Sequence, residues 1–330
     1  MSGEVVMKRL LMALLALVLC VSLTSCSGKG ENTVVIYSSA EQYRNEFILS
    51  RLKEQFPQYD IILGYMPTGN QAARLLVEGE KSECDITYDL EYGYVDKLKD
   101  VLADLSEYDT AKFEEDMLDP AGRVLPECRN GGCIAVNMDE LKQRGLSEPT
   151  CYEDLLKPEY KGLISMPSPK SSGTGYMFLK CLVNAWGEEQ AFDYFDKLSE
   201  NILQYTSSGS GPVNALVQGE AVIGLAMTPQ AVKEINNGAP LKILYFEEGS
   251  PYSRYGIGMI KGKENRQCVR DVFDYLNSTL VAEDKKQFFP EKIYKDIDFE
   301  MKNFPQNIKY ADMSNDTKAE KEHLLEKWVH

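Results

Sequence analysis

Short apolar runs alternate with amphipathic segments along most of this chain. The runs at 34–37, 61–63 and 85–88 read as buried strands, and apolar residues at helical spacing predict helices at 43–56 and 72–77 between them. A β-α-β-α-β order is typical of a parallel sheet with right-handed crossovers. The first half of the chain is therefore predicted to begin with an α/β lobe.

The alternation is interrupted once and then resumes. The turn-like stretch at 129–132 (Arg-Asn-Gly-Gly) predicts a hairpin that leads into a second α/β lobe. Apolar segments at 241–246 and 255–260 predict the return crossing. We expect helices near 269–280 and 324–328 to close the first lobe. The predicted boundaries are 31–132 plus 247–330 for lobe 1 and 133–246 for lobe 2.

The N-terminal segment predicts export and a lipid anchor. Lys8 and Arg9 precede an apolar run at 10–23, which is shorter than the ~20 residues of a membrane span. The residues that follow, Leu-Thr-Ser-Cys ending at Cys26, resemble a bacterial lipobox. We expect a signal peptide at 1–25, lipid on Cys26 and a short linker at 26–32. The mature protein is then anchored on the periplasmic or extracellular face of the membrane.

Charge and histidine content exclude several classes of function. The formal net charge of −15 argues against nucleic-acid binding, which requires a basic surface. The only histidines are His323 and His330. Their position argues against a Ser-His-Asp or Cys-His catalytic site and against a multi-histidine metal site. No phosphate-loop, dinucleotide or nucleophile-elbow motif is present. We therefore expect no catalytic activity, no cofactor and no resident metal.

Two cysteines flank the predicted hairpin. Cys128 and Cys133 lie on either side of the turn-like stretch, and an exported protein meets an oxidising environment. The sequence leaves open whether they form a disulfide or remain two thiols.

The loops after several predicted strands carry the candidate chemistry. They are rich in serine, threonine and glycine and run directly into helices. Free N–H groups at helix N-termini and nearby hydroxyls bind anions, and glycine allows a ligand to approach the backbone closely. Simple N-capping by the same residues is the alternative. The predicted ligand-binding residues of these loops are Ser38, Ser39, Thr68, Ser171, Ser172, Gly173, Thr174, Ser208, Gly209 and Ser210.

Glu91 adds an acidic candidate. It follows the third predicted strand together with Tyr92 and Tyr94. These residues either line the cleft and bind an amine or a hydroxyl of the ligand, or begin a helix.

Four motifs resemble a known family. They are VIYSS at 35–39, LLKPEYKG at 155–162, SSGTG at 171–175 and GEAVIG at 219–224. Together they resemble substrate-binding proteins of ABC importers, in the group with ferric-binding and phosphonate- or hexose-phosphate-binding members. The resemblance implies a type II periplasmic-binding-protein fold. In that α/β fold two lobes, joined by two crossing segments, close over a solute and present it to a membrane permease.

The resemblance also bears on the solute. Ferric-binding members use adjacent tyrosines after the strand that matches 221–226, whereas this chain has Met-Thr-Pro-Gln at 227–230. Glu41 stands where their first loop has a histidine. We therefore expect a small phosphate ester or phosphonate, bound by a monomeric receptor. The alternatives are a ferric receptor of the same fold, a secreted phosphatase or esterase, and a receptor for a cation such as a polyamine.

Overall fold

The computed structural model describes residues 30–330, so the predicted signal peptide and Cys26 lie outside the described part. The strands are β1 (Thr33–Ser38), β2 (Asp60–Tyr65), β3 (Ile86–Glu91), β4 (Leu125–Asn137), β5 (Ile164–Pro167), β6 (Ile202–Thr206), β7 (Ile223–Met227), β8 (Leu241–Leu244) and β9 (Tyr252–Met259).

Helices follow or separate most of these strands. They are α1 (Gln42–Gln55), α2 (Thr68–Glu78), α3 (Val95–Leu98), α4 (Met138–Gln143), α5 (Gly173–Trp186), α6 (Glu188–Ser199), α7 (Gly211–Val217), α8 (Thr228–Asn236), α9 (Gln267–Tyr275), α10 (Val281–Gln287) and α11 (Lys318–Lys327). A π-helical turn, Leu276–Leu280, joins α9 to α10. Within residues 30–330, no helix combines the length and the apolar composition needed to cross a bilayer.

The first lobe contains the predicted parallel sheet. Strand β1 pairs in parallel with β2 and β3, and β9 then pairs antiparallel with β3. Strand β1 shares its core with the helices before and after the π-helical turn, because Ile36, Val272 and Val281 are buried in one cluster. The predicted parallel sheet and the helix near 269–280 are therefore confirmed.

The second lobe repeats the α/β pattern. Strand β5 pairs in parallel with both β6 and β7, and β7 and β8 pair antiparallel with β4. Helix α5 supplies much of the core, because Met177, Phe178 and Leu182 are buried there. The two lobes and the two crossing segments, β4 and the chain between β8 and β9, are those of the type II fold.

The crossing through β4 differs from the prediction. The stretch expected to form a hairpin lies in one continuous strand of 13 residues. Its first part, up to Gly131, pairs with β9, and its second part, from Gly132, pairs with β7. Both sheets thus hold the segment extended, and their hydrogen bonds outweigh the local turn preference of Asn-Gly-Gly. This change of partner lies between Gly131 and Gly132, one residue before the predicted lobe boundary at 132/133, which we retain as a proposal.

The disulfide suggested for Cys128 and Cys133 is excluded by this strand. Both thiols are buried and free. Five residues of extended strand span about 16 Å at about 3.3 Å per residue. A disulfide requires Cα atoms within about 7 Å of each other. The two cysteines therefore cannot pair.

The C-terminal helix also differs from the prediction. Leu324 and Trp328 are buried in the core of the second lobe rather than of the first. The ring of Trp328 lies 5.2 Å from that of Phe195 on α6. The helix is capped at its start, because Thr317 Oγ1 accepts a hydrogen bond from the Glu320 amide. The helix itself was predicted, but the lobe against which it packs was wrong.

Candidate functional site

A cleft of about 480 Å³ lies between the two lobes. Helices α1, α2, α5 and α8 begin at its wall, and none of the four has a side-chain cap. Their first N–H groups lack partners within the helix and carry partial positive charge. The cleft is lined by Ser39, Glu41, Arg44, Tyr65, Pro67, Thr68, Gly69, Asn70, Asp89, Glu91, Tyr94, Cys128, Asn130, Pro169, Lys170, Ser171, Ser172, Gly173, Thr174, Ser207, Ser208, Gly209, Met227, Tyr255, Phe289, Lys321 and Leu325.

The first-lobe face of the cleft is built on a buried arginine. Arg44 Nη2 lies 2.6 Å from Glu127 Oε1 and 2.7 Å from Asp284 Oδ2. Its Nη1 lies 3.3 Å from Asp89 Oδ1. The guanidinium is thus surrounded by carboxylates and is already neutralised. Arg44 supports this wall of the cleft and has little capacity left for a ligand anion.

A backbone irregularity places Asp89 in the cleft. The pairing of β3 with β9 shifts between Thr87 and Leu90, and Asp89 has a φ of 57°. Aspartate tolerates this left-handed conformation better than most residues. The Asp89 carboxylate accepts a hydrogen bond from Ser39 Oγ at 2.9 Å. The bulge therefore turns a carboxylate toward the ligand space at the end of β3.

Glu91 ends the same strand and is held from two sides. Its amide donates to Thr68 Oγ1 at 3.0 Å, and its Oε1 accepts from Lys321 Nζ at 2.8 Å. A Cβ added at Gly173 would lie 3.4 Å from Glu91 Oε2. The Glu91 carboxylate therefore lies beside the first turn of α5, where negative charge is favoured.

The second-lobe face carries two lysines, Lys170 and Lys321 of α11, and its other lining residues are uncharged. The loop before α5 contributes Ser171 and Ser172, the first turn of α5 contributes Thr174, and the loop before α7 contributes Ser207, Ser208 and Gly209. The two regions touch, because a side chain at Gly209 would collide with the hydroxyl of Thr174. Hydroxyls and amide groups of both loops thus converge on one side of the cleft.

Asp89, Glu127 and Cys128 are close enough together to hold a metal ion. Protein cations occupy this place, because Lys285 Nζ lies 3.5 Å from Glu127 Oε1 and Arg44 contacts both carboxylates. Burial raises the pKa of Glu127 to about 7 and raises the pKa of the Cys128 thiol. A buried thiol is a poor metal ligand until it loses its proton. The cluster is therefore an ion-pair network.

Comparisons with known proteins identify the family. The family of bacterial extracellular solute-binding proteins matches residues 87–312, more than half of the chain. An uncharacterized protein of Haemophilus influenzae is 32% identical over 269 residues, which cover 77% of this chain and 74% of that protein. The chain belongs to the bacterial extracellular solute-binding proteins.

Solved structures agree with this assignment. AfuA from Actinobacillus pleuropneumoniae, solved with exogenous fructose-6-phosphate bound, superposes on the solute-binding protein with a TM-score of 0.78 and 26% identity, over 90% of this chain and 97% of AfuA. Iron-bound HitA from Pseudomonas aeruginosa has a TM-score of 0.77 at 16% identity, over 89% of this chain and 98% of HitA. The likeness to HitA shows the fold alone. The predicted family and type II fold are confirmed.

Most of the predicted ligand-binding residues of this solute-binding protein lie at the cleft. Ser38 and Ser210 do not belong to its lining. Ser38 is fully buried and donates to Asn45 Oδ1 at 2.6 Å, whereas Ser210 Oγ lies 2.9 Å from Ser208 Oγ. The predicted residues that line the cleft are Ser39, Thr68, Glu91, Ser171, Ser172, Gly173, Thr174, Ser208 and Gly209.

Sequence reasoning missed the residues that join distant parts of the chain. Arg44 was read as part of an ordinary helix, and its partner Asp284 is 240 positions away. Lys321 reaches the cleft from α11, and its partner Glu91 is 230 positions away. The sequence held one signal for Asp89, its position at the end of a strand, where α/β sheets bind their ligands.

Proposed function

We propose that this chain is the extracytoplasmic solute-binding lipoprotein of an ABC importer and that it captures a small organic phosphate ester or phosphonate. The observation that carries the proposal is that α2, α5 and α8 all begin at the interlobe cleft without a side-chain cap. Helix N-termini are favourable sites for phosphate groups because their N–H groups and their dipoles both favour negative charge.

The second-lobe face supports an anionic group in particular. Its serine and threonine hydroxyls supply further donors, and Lys170 at its rim supplies a positive charge. Hydrogen bonds to a charged group contribute about 1.5–3 kcal/mol each. A few such bonds suffice for tight binding of a phosphate in spite of the net negative charge of the chain, because distant surface charges are screened.

The first-lobe face supports a hydroxylated ligand. Glu41, Asp89 and Glu91 line it with carboxylates, which accept hydrogen bonds from hydroxyl groups. A phosphorylated sugar or polyol matches both faces, with its phosphate on the second lobe and its hydroxyls on the first. The likeness to AfuA, solved with fructose-6-phosphate, points to the same class of ligand.

A ferric ion is the second candidate. Tyr65, Tyr94 and Tyr255 line the cleft together with the three carboxylates, and hard cations prefer oxygen ligands. Burial, however, raises the pKa of Tyr255 well above its usual value, which opposes the phenolate form. The fold is shared with iron-bound HitA, but the residues at 227–230 lack tyrosine.

Hydrolysis is disfavoured as a function. His323 and His330 pair with Glu188 and Asp196 outside the cleft lining.

We further propose that the protein is a monomeric receptor that delivers its solute to the permease. We also propose that lipid on Cys26 anchors it to the membrane, and this proposal rests on the lipobox-like motif.

A calorimetric titration tests the ligand class. The matched probes are fructose 6-phosphate, fructose and inorganic phosphate. We expect fructose 6-phosphate to bind at least tenfold more tightly than either fragment, because only this ligand engages both faces. A ligand at 100 times its dissociation constant also stabilises the fold by about 2.7 kcal/mol. Fructose binding as tightly as its phosphate, or a visible absorption band and tight binding with ferric iron alone, would contradict the proposal.

A further inference from the structure

The C-terminal helix α11 contacts both lobes beside the cleft. On the second-lobe side, Trp328 packs against Phe195, and Lys180 Nζ lies 3.2 Å from Glu320 Oε1. Lys180 is fully buried. This side of the helix is therefore part of the second-lobe core.

The segment that leads to α11 is hydrogen-bonded to the second lobe and to the crossing segment between β8 and β9. The Ala311 amide donates to the Ser250 carbonyl at 2.8 Å, and Asn184 Nδ2 of α5 donates to the Asp312 carbonyl at 2.9 Å. Helix α11 is thus held at both ends by groups of the second lobe and the crossing. We expect it to move with the second lobe.

The opposite side of α11 contacts the first lobe. Lys321 Nζ lies 2.8 Å from Glu91 Oε1, and the side chains of both residues are nearly inaccessible. Lys97 and Glu322 form a second ion pair at 3.2 Å, but both are more exposed. Exposed pairs contribute little, about 0–1 kcal/mol. The Lys321–Glu91 pair is therefore the main polar contact between α11 and the first lobe.

Aromatic rings of both lobes surround the Lys321 ammonium. Its Nζ lies 4.9 Å from the ring centre of Tyr94 in the first lobe and 4.6 Å from that of Tyr176 on α5. A lysine has three N–H donors. One is directed to Glu91, and the two rings flank the cation at distances typical of cation–π contacts. Groups of both lobes thus hold one ammonium.

We propose that Lys321 is a positioning residue that ties the two lobes together and holds Glu91 at the cleft. The tie stabilises the closed arrangement of the lobes, because separating the lobes removes the ammonium from Glu91 and from one of its two rings. The inference concerns the molecule without ligand, so it does not depend on which solute the protein binds.

Small-angle scattering of the ligand-free protein tests this proposal. We expect Lys321→Met to increase the radius of gyration, because methionine retains the packing of the side chain but not its charge. Hydrogen exchange in residues 92–94 is expected to become about tenfold faster, which corresponds to about 1.4 kcal/mol. The matched control is Lys318→Met, which removes an exposed lysine of the same helix. Lys321→Arg, which keeps the charge, is expected to retain the compact form.

Two outcomes in the lysine variants would overturn the proposal. One is a folded Lys321→Met protein with the radius of gyration and exchange rates of the wild type. The other is an equal expansion in the Lys318→Met control. Should Lys321→Met fail to fold, Glu91→Gln removes the same ion pair from the first-lobe side. An unchanged radius of gyration in that variant would also overturn the proposal.

Discussion

The two faces of the cleft use opposite chemistry. The first-lobe face is formed by ionised groups, and most of their charge is already balanced within the protein, as with Arg44 among Glu127, Asp284 and Asp89. The second-lobe face is formed mainly by hydroxyls and backbone amides of the loops before α5 and α7. The comparison teaches that a charged residue in a cleft is not automatically a ligand contact. Here the buried charge around Arg44 supports the wall, and we expect the neutral donors of the second lobe to bind the anionic part of the ligand.

Removing Arg44 is expected to have the largest effect. Arg44→Met leaves Glu127 and Asp284 buried with only Lys285 as a cation, and breaking a buried ion pair costs about 3–5 kcal/mol. Urea unfolding measures this loss. The control is Arg51→Met on the same helix, whose pairs with Glu54 and Glu283 are partly exposed, and we expect about 0–1 kcal/mol there. Equal losses in the two variants would remove the distinction between structural and surface charge.

The pH dependence of the free energy of unfolding tests the contrast between buried charged groups and neutral hydroxyls. Buried carboxylates titrate near neutral pH, whereas the hydroxyls of the second-lobe face do not. Glu291 accepts a hydrogen bond from the Gly131 amide at the crossing, and burial raises its pKa from the usual 4.5 to about 7. The folded state then binds a proton more tightly than the unfolded state. The Glu291 contribution is therefore fully present below about pH 4.5 and is lost as the pH rises toward 7.

Unfolding experiments across this range measure the effect. We expect the free energy of unfolding to fall by up to about 1.4 kcal/mol per pH unit between these values on account of this one group. Glu291→Gln cannot titrate and is expected to flatten the profile. Burial also raises the pKa of Glu127 to about 7, so a residual slope of the same sign is expected in the variant. A profile identical to that of the wild type would show that Glu291 does not carry the dependence.

Ligand affinity is expected to fall when a hydroxyl group of the second-lobe face is removed. Thr174→Val removes one hydroxyl from the cleft with little change in shape, and a bond to a charged phosphate contributes about 1.5–3 kcal/mol. We expect affinity for the phosphorylated ligand to fall at least about tenfold, with stability nearly unchanged. Ser210→Ala is the control, because Ser210 lies outside the cleft lining. A larger loss of ligand affinity for Ser210→Ala than for Thr174→Val would show that the hydrogen-bond donors to the phosphate lie outside the cleft lining.

Local patterns in the sequence were sufficient for the strand–loop–helix units. Apolar runs and serine-rich loops predicted β1, β2 and β3 and the start of α5, because each depends on a few neighbouring residues. The Asn-Gly-Gly stretch misled the prediction, because its conformation is set by pairing with β7 and β9. Helix α11 was assigned to the wrong lobe, because periodicity identifies an apolar face but not its partner.

The same limit applies to the site. Thr68 and Thr174 could be found because they lie at helix starts after predicted strands. Arg44 and Lys321 could not, because the carboxylates that define their roles, Asp284 and Glu91, are more than 200 positions away. A single sequence does not show which residues far apart along the chain contact each other in the fold.

Strand β4 runs without a break from one sheet into the other, and this has a mechanical consequence. There is no room for a side chain at the two residues where β4 changes its pairing partner. A Cβ at Gly131 would lie 2.8 Å from Glu291 Oε1, and one at Gly132 would lie 2.7 Å from Met177 Cε. Both lobes share the hydrogen-bond ladders of this strand, which resist sliding. We therefore expect the halves to approach each other by torsion about the pair of glycines, so that a small twist there is amplified into a wide displacement at the rim.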